Sequence, residues 1–162
     1  MSISLSTGLH MAKTALAAKL FGKRYPLNIM LAVTNRCDGH CAICRIPQRE
    51  MEEMSLTDIR RLLDEAAVLG CRRLGIWGGE PLLRKDLGEI IAFAKKMKMF
   101  VTVDTNGHLL PYCDETLRQV DHLNISLDGG KTAHDAIRGD GAWDKTMSAI
   151  KHASGRYRFW TI

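Results

Sequence analysis

Two hydrophobic periods take turns along this chain, and the switches between them mark its elements. Residues 27–34, LNIMLAVT, form an apolar, β-compatible run behind Pro26 and predict a strand. From residue 55 the period becomes helical. Leu56, Ile59, Leu62, Leu63 and Ala66 recur behind Ser55, a plausible N-cap with Asp58 at the third helical position, and Gly70 is the stop. RRLGIW (72–77) predicts a short strand. Residues 86–97 predict a helix that starts at Asp86 and ends in Lys95 and Lys96, the polarity that a helix dipole favours. FVTVDT (100–105) predicts a strand, 112–120 a short helix, and 122–127 another strand. Residues 141–153 predict a helix behind Asp140, stopped near Gly155, and YRFWTI (157–162) predicts a fifth strand.

Strand–helix alternation with such short connections implies βαβ units, a parallel sheet and right-handed crossovers, hence an α/β fold. A different pattern precedes it. Leu9, Ala12, Leu16 and Leu20 recur at helical spacing, with Lys13 and Lys19 off that stripe. The sequence therefore divides at GKRYP into a helical arm, 1–26, and a core of about four βα units plus a fifth strand, 27–162.

Charge sharpens this division. The net charge of +5 is local: residues 1–36 carry Lys13, Lys19, Lys23, Arg24 and Arg36 and no acid, while the remainder holds eighteen basic and eighteen acidic residues. A neutral domain with a basic arm is not a uniformly basic nucleic-acid binder. The arm reads as a helix packed on the domain, in preference to one lying on an anionic membrane surface. Its lysines interrupt any signal-peptide apolar region, and it is too short and too charged to span a bilayer. Five unevenly clustered cysteines without a secretory signal point to a reducing cytoplasm.

The chemically unusual residues follow the strands. Strand one leads to NRCDGHCAIC, strand two to GGEP (78–81), strand three to DTNG (104–107), and strand four to SLDGG (126–130). In parallel α/β folds the site lies at the carboxyl ends of the strands. Cys37, Cys41 and Cys44 suit a soft metal or an iron–sulfur cluster. A cubane [4Fe–4S] cluster has four iron corners, so three thiolates leave one open. The alternative is zinc, with His40 as fourth ligand. The position of His40 beside Cys41 makes a poor tetrahedral geometry. Cys71 and Cys113 read as small buried hydrophobes. Trp77 fits either core or pocket wall, and His10, His108, His122 and His152 read as surface or satisfied residues.

Cys37-x₃-Cys41-x₂-Cys44 after one strand and GGEP after the next resemble the radical S-adenosylmethionine (radical SAM) superfamily. DTNG, ISLDG and HDAIRG (134–139) resemble its branch of molybdopterin-precursor cyclases and peptide-modifying maturases. The resemblance covers about residues 27–162. It implies a partial (β/α) barrel, incomplete at its C-terminal end, with a [4Fe–4S] cluster and S-adenosylmethionine (SAM) as cofactors. Cys37, Cys41 and Cys44 would hold three irons, and the amino and carboxylate groups of SAM would chelate the fourth. One electron passed into the sulfonium would break the C5′–S bond, and the resulting 5′-deoxyadenosyl radical would take a hydrogen from an unidentified substrate.

By the same resemblance Gly78, Gly79, Glu80 and Pro81 line the methionyl end of SAM, with Glu80 accepting from its ammonium. Asp104, Thr105 and Asn106, with Ser126 and Asp128, sit where they could meet ribose or carboxylate; turn formation and capping are their alternative roles. Arg138 is a candidate partner for the SAM carboxylate. Ile43 stands where the family often has an aromatic residue. An electron donor such as flavodoxin or ferredoxin is implied, and a partner chain could cover the open strand-five edge. A non-catalytic zinc or cluster module, or an inactive truncated remnant, is the alternative reading. No second cysteine cluster accompanies the first.

Overall fold

The structure is a computed structural model that describes residues 5–22, 25–50, 52–157 and 160–162. Lys23 and Arg24 of the arm, and residues 158–159 of the expected fifth strand, lie outside the described residues, as does the side chain of His10. Five strands, β1 (Ile29–Ala32), β2 (Arg73–Trp77), β3 (Phe100–Thr105), β4 (His122–Ile125) and β5 (Trp160–Thr161), form one open parallel sheet in chain order. Their registers pair Ile29 with Leu74, Arg73 with Phe100, Thr102 with His122 and Leu123 with Trp160. The helices are α1 (Leu5–Phe21), α2 (Leu56–Val68), α3 (Leu87–Lys96), α4 (Asp114–Leu117), α5 (Lys131–Arg138) and α6 (Ala142–Arg156).

Local chemistry accounts for the main elements. Ser55 caps α2 by accepting from the Asp58 backbone N–H at 3.1 Å. The apolar stripe of α2 then buries Ile59, Leu63 and Ala66, and α3 buries Leu87, Ile90, Ile91 and Ala94. One sheet face, with Leu31, Val33, Leu74, Ile76, Val101, Val103, Leu123 and Ile125, joins these residues in a single core. The opposite face of β3 and β4 is polar. There Asn124 Nδ2 donates to Asp104, Thr161 Oγ1 donates to Asn124 Oδ1 at 2.7 Å, and His122 Nε2 lies 3.0 Å from Thr161 Oγ1.

Some boundaries differ from the expectation. The helix expected over 112–120 is a 3₁₀ turn, Leu110–Tyr112, followed by the single turn of α4. Pro111 seeds the first, and Cys113, at φ −120°, breaks the helical path between them. The last helix runs past Gly155 to Arg156. An additional helix, α5, occupies residues within the segment between β4 and α6. In α1, Thr14 is buried while Leu9, Leu16 and Leu20 are exposed. Among the described residues no helix is long and apolar enough to cross a membrane.

One buried cation fastens the base of the site. The Arg84 side chain is 5% exposed. Its Nη1 donates to the Val33 carbonyl at 2.7 Å, Nη2 to the Met54 carbonyl at 2.9 Å, and Nε to Asp86 Oδ1 at 2.6 Å. It thereby ties the end of β1, the approach to α2 and the start of α3. The guanidinium in turn holds the Asp86 carboxyl below the usual carboxylate range. An ammonium cannot reproduce that planar fork. Arg84→Lys is expected to cost about 2 kcal/mol, measured as a lowered urea midpoint with an unchanged slope.

Candidate active site

At the carboxyl ends of the strands lies a cavity of about 260 Å³. Cys37, Cys41, Ile43 and Cys44 line it from the loop after β1, and Trp77, Gly78 and Gly79 from the end of β2. Asp104, Thr105 and Asn106 enter from β3, Ser126 from the end of β4, and Ile137 and Arg138 from α5. Ten of the thirteen lining residues are therefore the three thiols and seven of the cofactor candidates or neighbours named from sequence: Gly78, Gly79, Asp104, Thr105, Asn106, Ser126 and Arg138. Glu80, Pro81 and Asp128 stand outside this lining.

The two glycines have a definite steric reason. A Cβ on Gly78, whose φ is +146°, would come within 2.4 Å of the Thr34 carbonyl oxygen, and one on Gly79 within 2.2 Å of that of Arg36. Free of Cβ atoms, the segment approaches the β1 loop closely. Gly79 N–H donates to the Thr34 carbonyl and Glu80 N–H to that of Arg36, each at 2.8 Å. The ladder thus continues beyond both strands and fixes the start of the cysteine loop.

Glu80 is fully buried. Its Oε1 accepts from Leu82 N–H at 3.0 Å and Thr105 Oγ1 at 2.8 Å, and its Oε2 from Asn106 N–H at 2.8 Å. The carboxylate therefore joins the ends of β2 and β3. Burial pushes its pKa up to about 7 in spite of these donors. Pro81, also buried, opens the 3₁₀ turn that supplies the Leu82 N–H. Asn106 carries the connection further: its Nδ2 donates to Asp38 Oδ1, within the cysteine loop, at 2.7 Å.

A second set of bonds holds the β4 side. Arg138 donates to Asp128 through Nε, with Nη2 3.4 Å from Oδ1, and this pairing lowers the Asp128 pKa. Behind it, the buried His134 accepts from Asp128 N–H at Nδ1, at 3.2 Å, which places a neutral ring's proton on Nε2. That nitrogen lies 3.3 Å from Thr146 Oγ1, which donates to the Asn106 carbonyl at 3.3 Å. Finally, Ala42 N–H donates to the Ile137 carbonyl at 2.8 Å, lashing the cysteine loop to α5. Sequence reading assigned no role to Arg84, His134, Thr146 or Asp38. HDAIRG marked His134, but its partners are distant in sequence.

Cys37, Cys41 and Cys44 are free thiols on this loop. An ideal Cβ on Gly39 would lie 3.6 Å from Cys37 Sγ and 3.8 Å from Cys41 Sγ, so two sulfurs flank that turn. Gly39 N–H donates to Cys37 Sγ at 3.3 Å. Burial pushes the Cys37 thiol up, and the charges of Asp38 and Glu80 add to this. Among the described residues, no three His, Cys, Asp or Glu side chains converge as ligands of a single ion. His40 is exposed, and Ile43 is 80% exposed at the rim. The donor set, three thiols from one loop beside a cavity that also presents Asp104, Asn106, Ser126 and Arg138, fits a three-thiolate cluster.

Elsewhere, Cys71 is buried in the core and Cys113 is half-buried. His152 meets Asp114 at 2.8 Å, and half-buried Trp77 is a cavity wall.

A parallel sheet that brings thiols and polar strand ends around one cavity has the design of a cofactor-dependent α/β enzyme. Residues 31–161 match the family model of the Radical SAM superfamily, and the chain belongs to that superfamily. Its members use a [4Fe–4S] cluster and SAM. The chain is 34% identical over 111 residues to a PqqA peptide cyclase of Granulibacter bethesdensis, covering 63% of this chain and 29% of that protein. It is 35% identical over 138 residues to a probable GTP 3′,8-cyclase of Archaeoglobus fulgidus, covering 80% of this chain and 45% of that protein. The chain thus spans less than half the length of these curated relatives. In fold it is similar to the crystal structure of Streptococcus suis SuiB bound to S-adenosylmethionine, with a TM-score of 0.71 at 19% identity, covering 92% of this chain and 36% of SuiB.

Proposed function

We propose that this chain is the catalytic core of a radical SAM enzyme, with Cys37, Cys41 and Cys44 as the three protein ligands of a [4Fe–4S] cluster. The observation that carries this reading is the sharing of one cavity by those thiols and the ends of β2, β3 and β4. When bound, cluster and SAM supply a one-electron reductive cleavage that yields a 5′-deoxyadenosyl radical able to take hydrogen from a substrate.

The chain's own residues bind and orient. Gly78 and Gly79 offer a backbone surface to the methionyl end of SAM, with the turn behind them fixed by Pro81. Asp104, Thr105, Asn106 and Ser126 present polar groups for ribose or carboxylate. Arg138, aimed by Asp128, supplies a cation for the carboxylate. Because its oxygens already accept three internal donors, Glu80 acts chiefly by holding Thr105 and Asn106 in place. The partners are a substrate, an electron donor of the flavodoxin or ferredoxin class, and a further segment or chain along the β5 edge.

The test is anaerobic reconstitution with iron and sulfide, followed by reduction in the presence of SAM and chromatography for 5′-deoxyadenosine. The expected result is a brown protein that forms 5′-deoxyadenosine without added substrate. Bound iron without that product would overturn the catalytic reading. A mononuclear zinc site without iron would overturn the cluster as well.

A further inference from the structure

His108 breaks the rule that buried polar atoms find partners. Its side chain is 7% exposed, so it is not the surface residue expected from sequence. Nor is it satisfied: among the described residues, Nδ1 and Nε2 both lack a hydrogen-bond partner. Gly107 turns the chain that brings the ring inside. Its φ is +86°, and a Cβ there would come within 2.8 Å of Ala149 Cβ. Nδ1 of His108 then stops 3.4 Å from Asp38 Oδ2, an ion-pair distance just beyond a well-formed hydrogen bond.

Asp38 follows Cys37 in the loop, and its other oxygen is already held. Asn106 Nδ2 donates to Asp38 Oδ1 at 2.7 Å. The His108 backbone aims that amide, since its N–H donates to Asn106 Oδ1 at 2.9 Å. Asn106 Nδ2 also stands near the sulfurs: the Cβ position of Gly39 is 3.7 Å from it, 3.6 Å from Cys37 Sγ and 3.8 Å from Cys41 Sγ. Burial lowers the His108 pKa, so the neutral ring has one proton to place. On Nδ1 that proton faces the carboxylate, and only a lone pair is left at Nε2. On Nε2 it would be a buried donor without an acceptor, and a lone pair would face Asp38. The first arrangement is the lower in energy.

We infer that His108 is a positioning residue of the cysteine loop: its Nδ1–H donates to Asp38 Oδ2 and, together with Asn106, holds Cys37 beside the end of β3 through a carboxylate gripped at both oxygens. The separation needs to shorten by only about 0.4 Å to make a normal bond. One donor leaves the Asp38 side chain free to turn about that bond, whereas two fix its direction and with it the start of the loop. His108 acts on the thiols through Asp38 and touches no cofactor. The grip belongs to the chain itself; in naming a cluster as what it steadies, the inference rests on the function proposed above.

The experiment has a metal-free arm and a loaded arm. In the metal-free chain, urea unfolding of His108→Phe, Asp38→Ala and the double variant forms a cycle. The two changes are expected to be non-additive by about tenfold in the folding constant, as for a buried bond to a charged acceptor. After anaerobic loading with iron and sulfide, iron loss to a chelator is expected to be about tenfold faster from His108→Phe than from the parent. His108→Asn places an amide Nδ2 where the ring Nδ1 was, and should lose iron at close to the parent rate. Phe fills the space without a donor and should not. If His108→Phe does not fold, His108→Leu serves in both arms. Additive effects in the cycle overturn the inference, and so does iron loss from His108→Phe at the parent rate. A His108→Asn protein that loses iron as fast as His108→Phe also overturns it and assigns His108 to ring packing. A parent chain that takes up no iron overturns the proposed function instead, and the metal-free cycle then decides the inference.

Discussion

Cys41→Ala is expected to reduce 5′-deoxyadenosine formation to background in the reconstituted protein. Three thiolates anchor three corners of a cubane and leave the fourth for a cosubstrate. On this assignment the cluster would lose one of its three anchors, and among the described residues no other cysteine and no histidine lines the cavity: His40 is exposed and stands outside it. Iron content should fall together with activity. Cys113→Ala separates this from a general thiol effect. Cys113 is half-buried beside the turn before α4, outside the cavity lining, and burial pushes its thiol away from ionisation. That variant should keep iron and product formation close to the parent. The metal-free Cys41→Ala protein should also unfold at nearly the parent's urea concentration, because a thiol-to-methyl change on a loop leaves the core intact. A Cys41→Ala protein with full iron and full product yield would refute the ligand assignment.

How much of this was legible in the sequence depends on the range of the interaction. β3 falls on Phe100–Thr105, as its alternation predicts, and α2 starts after Ser55 because the cap and apolar stripe are both local. The same locality placed the thiols and the polar residues at successive strand ends, where the parallel sheet gathers them. α5 escaped because it is only eight residues long and mostly polar, with few apolar side chains to mark it. It is capped by Gly130 without a side-chain bond, and its one buried residue is His134, held by Asp128 and Thr146 rather than by apolar contact. Arg84 escaped for a related reason. Nothing in LLRKD distinguishes a buried guanidinium from a solvated one until the Val33 and Met54 carbonyls come within reach. The orientation of α1 was likewise closed to a reading of period alone, since a leucine stripe shows which residues share a face and not which way the face turns.

Glu80 presents that limit at its sharpest, and substituting it should have the largest effect on stability. Glu80→Gln preserves shape but replaces one acceptor by a donor. With the amide nitrogen at the Oε2 position, it faces the Asn106 N–H that now donates there; turned over, it faces Leu82 N–H. Either way a buried donor opposes a buried donor, at a cost of about 3 kcal/mol. The parent protein carries a pH signature that the variant lacks. A carboxyl raised from 4.5 to about 7 in the folded state binds its proton more tightly there than in the unfolded chain. Its contribution is therefore fully present below pH 4.5 and is lost as pH rises through about 7, an effect of roughly 3 kcal/mol. Urea midpoints of the metal-free parent, collected across that window, should contain this declining component, and those of Glu80→Gln should lack it while lying lower at neutral pH. The two effects have one origin: a carboxyl placed in the interior so that Thr105 and Asn106 are held at the cavity wall. Equal midpoints with parallel pH dependence would show that the ends of β2 and β3 are joined by something other than this side chain.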